Sequence, residues 1–219
     1  MYKIAHMADI HIRNLKYHEE YRAVFSKMYE SLLEQQVDYI TVCGDIAHTK
    51  TQLSPEYFQL CTEYLLGLAN IAPTIIIAGN HDGNLKNADR QDAITPIINA
   101  IKHPQIHYLK DSGEWNPEGG LCFNVLSIFD RDNWVKPSNP DNVNIALYHG
   151  AMMGSKTGAN WVMDQGDDDI SIFKDFDFAM LGDIHRQQEL DPEGRVRYSG
   201  SLIQQKFSES PLKGYLLWE

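Results

Sequence analysis

Cysteine is scarce in this chain: three among 219 residues, Cys43, Cys61 and Cys122. An odd number, widely spaced and set in apolar runs, makes neither a disulfide frame nor a zinc knuckle. The three therefore read as reduced core residues. No apolar stretch approaches the roughly 20 residues needed to span a bilayer. Met1-Tyr2-Lys3-Ile4 runs directly into a strand, with no signal-peptide pattern. A cytoplasmic protein with no membrane partner is the expectation. Internal repeats and low-complexity linkers are absent too, and the length suits one domain with its own core. Positive charge is in short supply, with 19 Lys and Arg against 30 Asp and Glu, a net −11. That excludes a generic nucleic-acid coat protein, whose affinity comes from clustered Lys and Arg. It leaves room for a metal-dependent enzyme, because divalent cations offset carboxylates where a phosphate must sit. The run Asp167-Asp168-Asp169 reads most simply as a solvated loop.

What is present is organised around Thr74-Ile75-Ile76-Ile77-Ala78-Gly79-Asn80-His81-Asp82-Gly83. The β-branched run is a fully buried strand that stops at a glycine and delivers three polar side chains into a turn. Strands of an α/β sheet present functional groups at their carboxyl ends. Tyr2 to Ala8 is another strand, followed by Asp9-Ile10-His11. Apolar side chains at helical spacing (Tyr21, Val24, Phe25, Met28, Leu32, Leu33) predict a helix over about 18–36. Val37–Cys43 is a strand, and a helix capped by Ser54 with Pro55 in its first turn runs to about Asn70. A further helix is expected over about 87–102, although Pro96 lies inside it. Strand-like runs follow at Ile106–Leu109, Leu121–Ile128, Val143–Tyr148, Phe176–Leu181, Arg195–Tyr198 and Gly214–Trp218. Between His149 and Asp169 lies a long loop rich in Gly, Met and Asp, of the kind that carries function. This order suggests two sheets packed together with helices outside.

Five segments place hard oxygen or imidazole donors just after apolar runs. They are Asp9-Ile10-His11, Gly44-Asp45, Gly79-Asn80-His81-Asp82, His149-Gly150 and Gly182-Asp183-Ile184-His185. Singly, each reads as polar residues at a strand end. As an ordered set they imply a metal centre. Imidazole with carboxylate suits Mn, Fe, Zn or Co. Two ions ~3.5–4 Å apart can clamp the attacking and leaving oxygens of a phosphoryl displacement.

The set resembles the calcineurin-like metallophosphoesterase superfamily. The resemblance implies a four-layer α/β/β/α sandwich of two packed mixed sheets flanked by helices, spanning 1–219. It implies one ion held by Asp9, His11, Asp45 and His185, and another by Asp45, Asn80, His149 and Asp183. His81 then protonates the leaving oxygen, helped into position by Asp82. Most relatives have His where this chain has Asp183, and the added carboxylate is expected to favour Mn or Mg over Zn.

Within the superfamily the chain is most similar to the nuclease subunit of SbcCD-type DNA double-strand-break repair complexes, phage recombination endonucleases included. Asp9-Ile10-His11-Ile12-Arg13, Gly44-Asp45-Ile46-Ala47-His48 and the tail Tyr198-Ser199-Gly200-Ser201-Leu202…Phe207…Lys213-Gly214-Tyr215 carry that likeness. The tail is not expected to be needed for metal binding. The resemblance implies Mn-dependent cleavage of DNA, 3′-to-5′ on duplex ends and endonucleolytic on single strands, with an SMC-like ATPase partner. It also implies a homodimer through helices near 54–70 and 90–102, where Tyr57, Phe58, Tyr64, Leu65, Ile97, Ile98 and Ile101 offer apolar surface. The family's DNA-contacting cap and ATPase-binding tether have no counterpart before Glu219.

Other residues keep two readings. Arg13 could grip a phosphate or form a surface salt bridge. His48 could touch phosphate or DNA, or be a surface residue. Trp161 could stack on a base or, more simply, pack beneath its loop. His6 reads as a core or interface residue, and His18, His103 and His107 as surface residues. Competing functions are a small-molecule phosphodiesterase or phosphatase, and a metal-free scaffold.

Overall fold

Residues 1–157 and 161–219 are described by a computed structural model. The strand-like runs of the first half become parallel strands: β1 (Ile4–Met7), β2 (Tyr39–Cys43), β3 (Thr74–Ile77) and β4 (Ile106–Leu109). Their sheet is closed at the other edge by an antiparallel strand, Leu216–Trp218, paired with β1. A second sheet holds β5 (Gly113–Trp115), β6 (Leu121–Leu126), β7 (Val143–His149), β8 (Phe178–Gly182), β9 (Gln188–Glu189) and β10 (Val196–Tyr198). The Leu216–Trp218 strand is thus β11. Here β6, β7, β8 and β10 are parallel neighbours, with β5 and β9 antiparallel at the edges. Both sheets are mixed, as expected. The edge strands β5 and β9 left no sequence signal because they are too short to show alternation.

The sheets meet face to face over Ile4, Ala8, Cys43, Ile75 and Ile77 from one and Phe123, Val125, Ile145, Leu147 and Met180 from the other. This is why β3 and β6 are buried on both faces and read as mostly apolar runs, with Asn124 the polar exception in β6. The helices α1 (His18–Gln35), α2 (Pro55–Ala69) and α3 (Thr95–Ile101) pack on the outside of the first sheet. The outer face of the second is covered by single 3₁₀ turns and the chain around them, with Trp134, Ile170 and Phe173 against Tyr148 and Leu181. The three cysteines are free and buried.

Helix α2 begins as its sequence dictates, with the Ser54 hydroxyl accepting from Tyr57 N–H and Pro55 in the first turn. Helix α3 is shorter than the expected 87–102 span. Pro96 has no N–H and its ring clashes with the carbonyl four residues back, so the helix starts at Thr95. Asp92 instead accepts from the Ile94 and Thr95 N–H groups and caps it. Four apolar residues offered for a dimer contact, Tyr57, Tyr64, Leu65 and Ile97, are buried inside the chain. Phe58 is exposed, and Ile98 and Ile101 are half-buried. Among the described residues no helix is long and apolar enough to cross a membrane.

His6 ties the two sheets. Its Nε2–H donates to the Leu181 carbonyl at 3.1 Å, and its Nδ1 accepts from Trp218 Nε1 at 3.4 Å. It is completely buried, and burial pulls its pKa down to about 3. An unfolded chain binds that proton near pH 6.5, whereas the folded chain resists it. Stability from His6 is therefore present above pH 6.5 and lost as pH falls toward 3. His6→Gln keeps a donor and an acceptor. Urea melts at pH 7, 6 and 5 should show wild-type stability falling faster than the variant's, by up to ~1.4 kcal/mol per pH unit. Parallel curves would remove His6 from the acid sensitivity.

Candidate metal centre

Each candidate donor sits at the carboxyl end of a parallel strand. Asp9 and His11 follow β1, Asp45 follows β2, Asn80 and His81 follow β3, His149 ends β7, and Asp183 and His185 follow β8. Asp9, His11, Asp45 and Asp183 all have left-handed backbones, with φ of 54°, 50°, 54° and 99°. Such conformations cost a non-glycine residue about 1–3 kcal/mol each, and they cluster where surrounding structure enforces them. Bonds from backbone N–H groups do so here. Asp9 N–H donates to Gly44 O at 3.1 Å, His11 N–H to Asp45 O at 2.9 Å, and Asp183 N–H to both Asp9 carboxylate oxygens at 3.1 Å. Two glycines make room. A Cβ on Gly79 would strike the Asp45 carboxylate, and one on Gly44 the His149 ring.

The result is one contiguous cluster. Asp45 lies between its halves, with Oδ1 3.4 Å from His149 Nε2 and Oδ2 3.6 Å from His11 Nε2. His149 Nε2 is also 3.7 Å from Asp183 Oδ1. His11 Nε2 and His185 Nε2 are 3.0 Å apart. Donor atoms of Asp9, His11 and His185 lie within 4.8 Å of one another, as do those of Asp9, Asp45 and His149. Asn80, His149 and Asp183 line a cleft of about 480 Å³ with Arg131 and Asp167.

The donor chemistry fits two cations. His149 Nε2 and Asn80 Oδ1 are buried and have no hydrogen-bond partner in the protein. An orphaned buried acceptor is costly unless something fills it. The tautomers agree. A carbonyl can only accept, so the 2.8 Å contact of His149 Nδ1 with Cys43 O puts the proton on Nδ1 and turns the Nε2 lone pair inward. Imidazole nitrogens at right angles on one ion with ~2.1 Å bonds would sit about 3.0 Å apart, close to the His11–His185 spacing. Without a cation the charges strain one another. Burial raises the Asp9 pKa, and Asp45 and Asp183 raise it further against His149. Burial disfavours charge on His149, yet Asp45, Asp9 and Asp183 outweigh it and lift its pKa well above the usual value. Burial holds His11 neutral, with a pKa of about 3.

The remaining candidates fall beside this cluster. His81 Nδ1–H donates to the His48 carbonyl at 2.7 Å, and its ring lies edge-on to His11, with centroids 4.8 Å apart. Among the described residues no hydrogen bond joins the Asp82 carboxylate to the His81 ring. Asp82 is fully buried and accepts from Gly79 N–H at 2.9 Å and Ala47 N–H at 2.8 Å, locking the two ligand loops together. Its help to His81 is thus one step removed. Burial, reinforced by Asp45, raises the Asp82 pKa to about 7. Arg13 and His48 do reach the site edge, with Arg13 Nη1 3.2 Å from His48 Nε2.

The acidic run is a solvated loop, with Asp167 and Asp169 exposed, and it is also bonded: Asp167 accepts from Ala151 N–H, Asp168 pairs with Arg131 and Tyr148, and Asp169 caps a 3₁₀ turn. Trp161 is exposed, not packed beneath its loop. Part of that loop, residues 158–160, lies outside the described residues. The tail reaches the centre. His185 Nδ1 bonds Glu209 Oε1 at 2.9 Å, and Lys213 Nζ bonds Glu209 Oε2 at 2.9 Å and the His185 carbonyl at 2.8 Å. Sequence reading missed Glu209, which follows no apolar strand. It also missed Tyr21, a helix core residue whose hydroxyl donates to His11 O.

A family model described as calcineurin-like phosphoesterase matches residues 2–187. The chain is 41% identical over 221 residues to an uncharacterised protein of Acanthamoeba polyphaga mimivirus, covering 94% of this chain and 16% of that one. The chain therefore spans about a sixth of that relative's length. The crystal structure of Pseudomonas putida nuclease MPE aligns with a TM-score of 0.38 and 14% identity, over 84% of this chain and 78% of that one.

Because a cation relieves the buried charge only in the folded state, Mn should raise the melting temperature. At 100 times its dissociation constant one ion adds ~2.7 kcal/mol, or roughly 5–10 °C for a domain of this size. Scanning calorimetry with Mn and with chelator tests this. Asp45→Asn, which removes a carboxylate from both halves, should abolish most of the shift. A shift retained in the variant would contradict the placement of Asp45.

Proposed function

The chain belongs to the calcineurin-like phosphoesterase family of metal-dependent hydrolases, and we propose that it cuts DNA phosphodiesters with Mn as its ion and Mg as a substitute. One observation carries the DNA reading. The three segments that resemble DNA-repair nucleases converge at one edge of the centre, where Arg13 contacts His48 at 3.2 Å and Gln205 of the tail at 3.4 Å. A guanidinium held beside the ion cluster is suited to a phosphate of the strand being cut. Their mutual contact also keeps His48 turned toward this edge, while its carbonyl holds His81.

In this reading Asp9, His11, Asp45 and His185 hold one ion, and Asp45, Asn80, His149 and Asp183 the other. When bound, the ions supply Lewis acidity to the phosphoryl oxygens and lower the pKa of water at the site. The chain supplies the rest. His81 keeps one proton on Nδ1, against the His48 carbonyl, so Nε2 is the atom that carries a second proton to the leaving oxygen. The phosphorus–oxygen bond to the leaving group breaks as a water oxygen takes its place. We further propose 3′-to-5′ action on duplex ends, endonuclease action on single strands, and work beside an SMC-like ATPase. A homodimer contact would use what α2 and α3 leave exposed, Phe58 with the edges of Ile98 and Ile101.

With end-labelled linear DNA and Mn, shortening should be progressive and His81→Ala should slow it by roughly 10²–10⁴-fold, with the Mn-dependent thermal shift intact. Hydrolysis of a small chromogenic diester without any action on DNA would favour the small-molecule reading and sink this one. The third carboxylate makes a distinct forecast. Asp183→His should raise Zn-supported turnover relative to Mn. An unchanged Zn-to-Mn ratio would show that Asp183 does not set ion preference.

A further inference from the structure

The two inward-facing imidazoles at the ends of β7 and β8 are oriented by different means. His149 is aimed by the Cys43 carbonyl, part of a strand buried between the sheets. His185 is aimed by Glu209, a carboxylate on the irregular segment 199–213. That segment lies beyond residues 2–187, the span of the family match.

The segment is fastened to the site at several points. Ser201 bridges to Ala8 at the end of β1, and its N–H donates to the His185 carbonyl at 3.3 Å. Lys213 Nζ reaches the same carbonyl at 2.8 Å and the Ser201 hydroxyl at 2.8 Å. Glu209 is the centre of the arrangement. Its Oε1 faces His185 Nδ1 at 2.9 Å, and its Oε2 accepts from Lys213 Nζ and from Gln205 N–H, each at 2.9 Å. The Gln204 side-chain amide holds the Glu209 carbonyl at 2.8 Å. The Glu209 side chain is 4% exposed and that of Lys213 10%. A buried carboxylate this fully bonded has one rotamer. It fixes both the proton on His185 Nδ1 and the plane of the ring.

We infer that Glu209 is a positioning residue for His185, and that the 199–213 segment thereby controls the ion held by Asp9, His11, Asp45 and His185 without controlling the other. This rests on the two-ion reading of the site. Selectivity follows from the contacts. Glu209 touches His185, whereas the contacts that orient His149 and Asp183 come from Cys43 and Asp9. A carboxylate behind a ligand histidine also raises the basicity of its other nitrogen, and loss of such a partner commonly costs 10–100-fold in metal affinity.

The test is stepwise Mn binding by the full chain, followed by calorimetry and by electron paramagnetic resonance. Wild type should bind two ions and end in the signal of a spin-coupled pair. Glu209→Gln should weaken one binding step by about 10–100-fold and leave the other near wild type. At intermediate Mn it should show the six-line signal of a single ion. Glu209→Asp keeps the charge and the lysine partner but shortens the reach, and should show the same selective loss. Melting of the chelated proteins separates positioning from general support. A purely structural ion pair would lower the apo melting temperature and leave both binding steps intact, and that result overturns the inference. Equal weakening of both steps overturns it as well. His185→Ala is the reference. If it too binds two ions like wild type, the two-ion reading fails and the inference with it. If it loses one step while both Glu209 variants bind normally, only the role of Glu209 falls.

Discussion

The Asp45 carboxylate, 2% exposed and flanked by His149 on one oxygen and His11 on the other, is the constraint around which the site is built. A charge in that position, beside Asp9 and Asp183, stands against the cost of its own burial, yet His149, His11 and the His81 N–H that donates to Oδ1 at 2.8 Å outweigh that cost and hold the Asp45 pKa below the usual carboxylate range. The strain falls on Asp9 and Asp183, whose pKa burial raises, and divalent cations, for which the orphaned His149 Nε2 and Asn80 Oδ1 are suited, would offset it. The absence of a side chain at Gly79 and the left-handed turn at Asp45 follow from the same demand. The carboxylate must sit against the adjoining loop to reach both halves.

The fold serves that carboxylate by separating rigidity from chemistry. Two sheets pressed together over apolar residues bring the carboxyl ends of β1, β2, β3, β7 and β8 to one edge. Their short ligand loops are then fixed by backbone N–H groups, donating between the sheets from Asp183 to the Asp9 carboxylate and within the first sheet from Asp9 to the Gly44 carbonyl. Four strained ligand residues at about 1–3 kcal/mol each are affordable only on such a base. Where the base ends, other devices take over. Asp82 binds the β2 and β3 loops from beneath, and Glu209 with Lys213 steadies His185 from the side.

Much of this was legible in the sequence. Buried parallel strands read as short apolar runs, β-branched throughout only at Thr74–Ile77 but apolar enough before Asp9, Asp45, His149 and Asp183 to be legible. The donors that follow them are the ones the structure gathers. What escaped has physical causes. Pro96 shortened α3 because a proline ring excludes the preceding turn, a local fact that outweighed the apolar spacing of Ile94, Ile97, Ile98 and Ile101. The apolar residues of α2 looked surplus because a helix covering a twisted sheet and touching a second helix buries more than one stripe. Asp82 looked like a partner for its sequence neighbour, but its oxygens went to buried backbone N–H groups. Glu209 carries no local signal, and Lys213, although part of the tail that carries the likeness, gives no sign of its partner. Their role depends on a tail returning to β1 after the second sheet is complete, which no period or motif encodes.

Anomalous diffraction from crystals soaked in Mn would locate the ions themselves. Two Mn peaks ~3.5–4 Å apart are expected, with Asp45 between them, one beside His11 and His185 and the other beside Asn80 and His149. A single peak, or a pair that does not share Asp45, would contradict that placement.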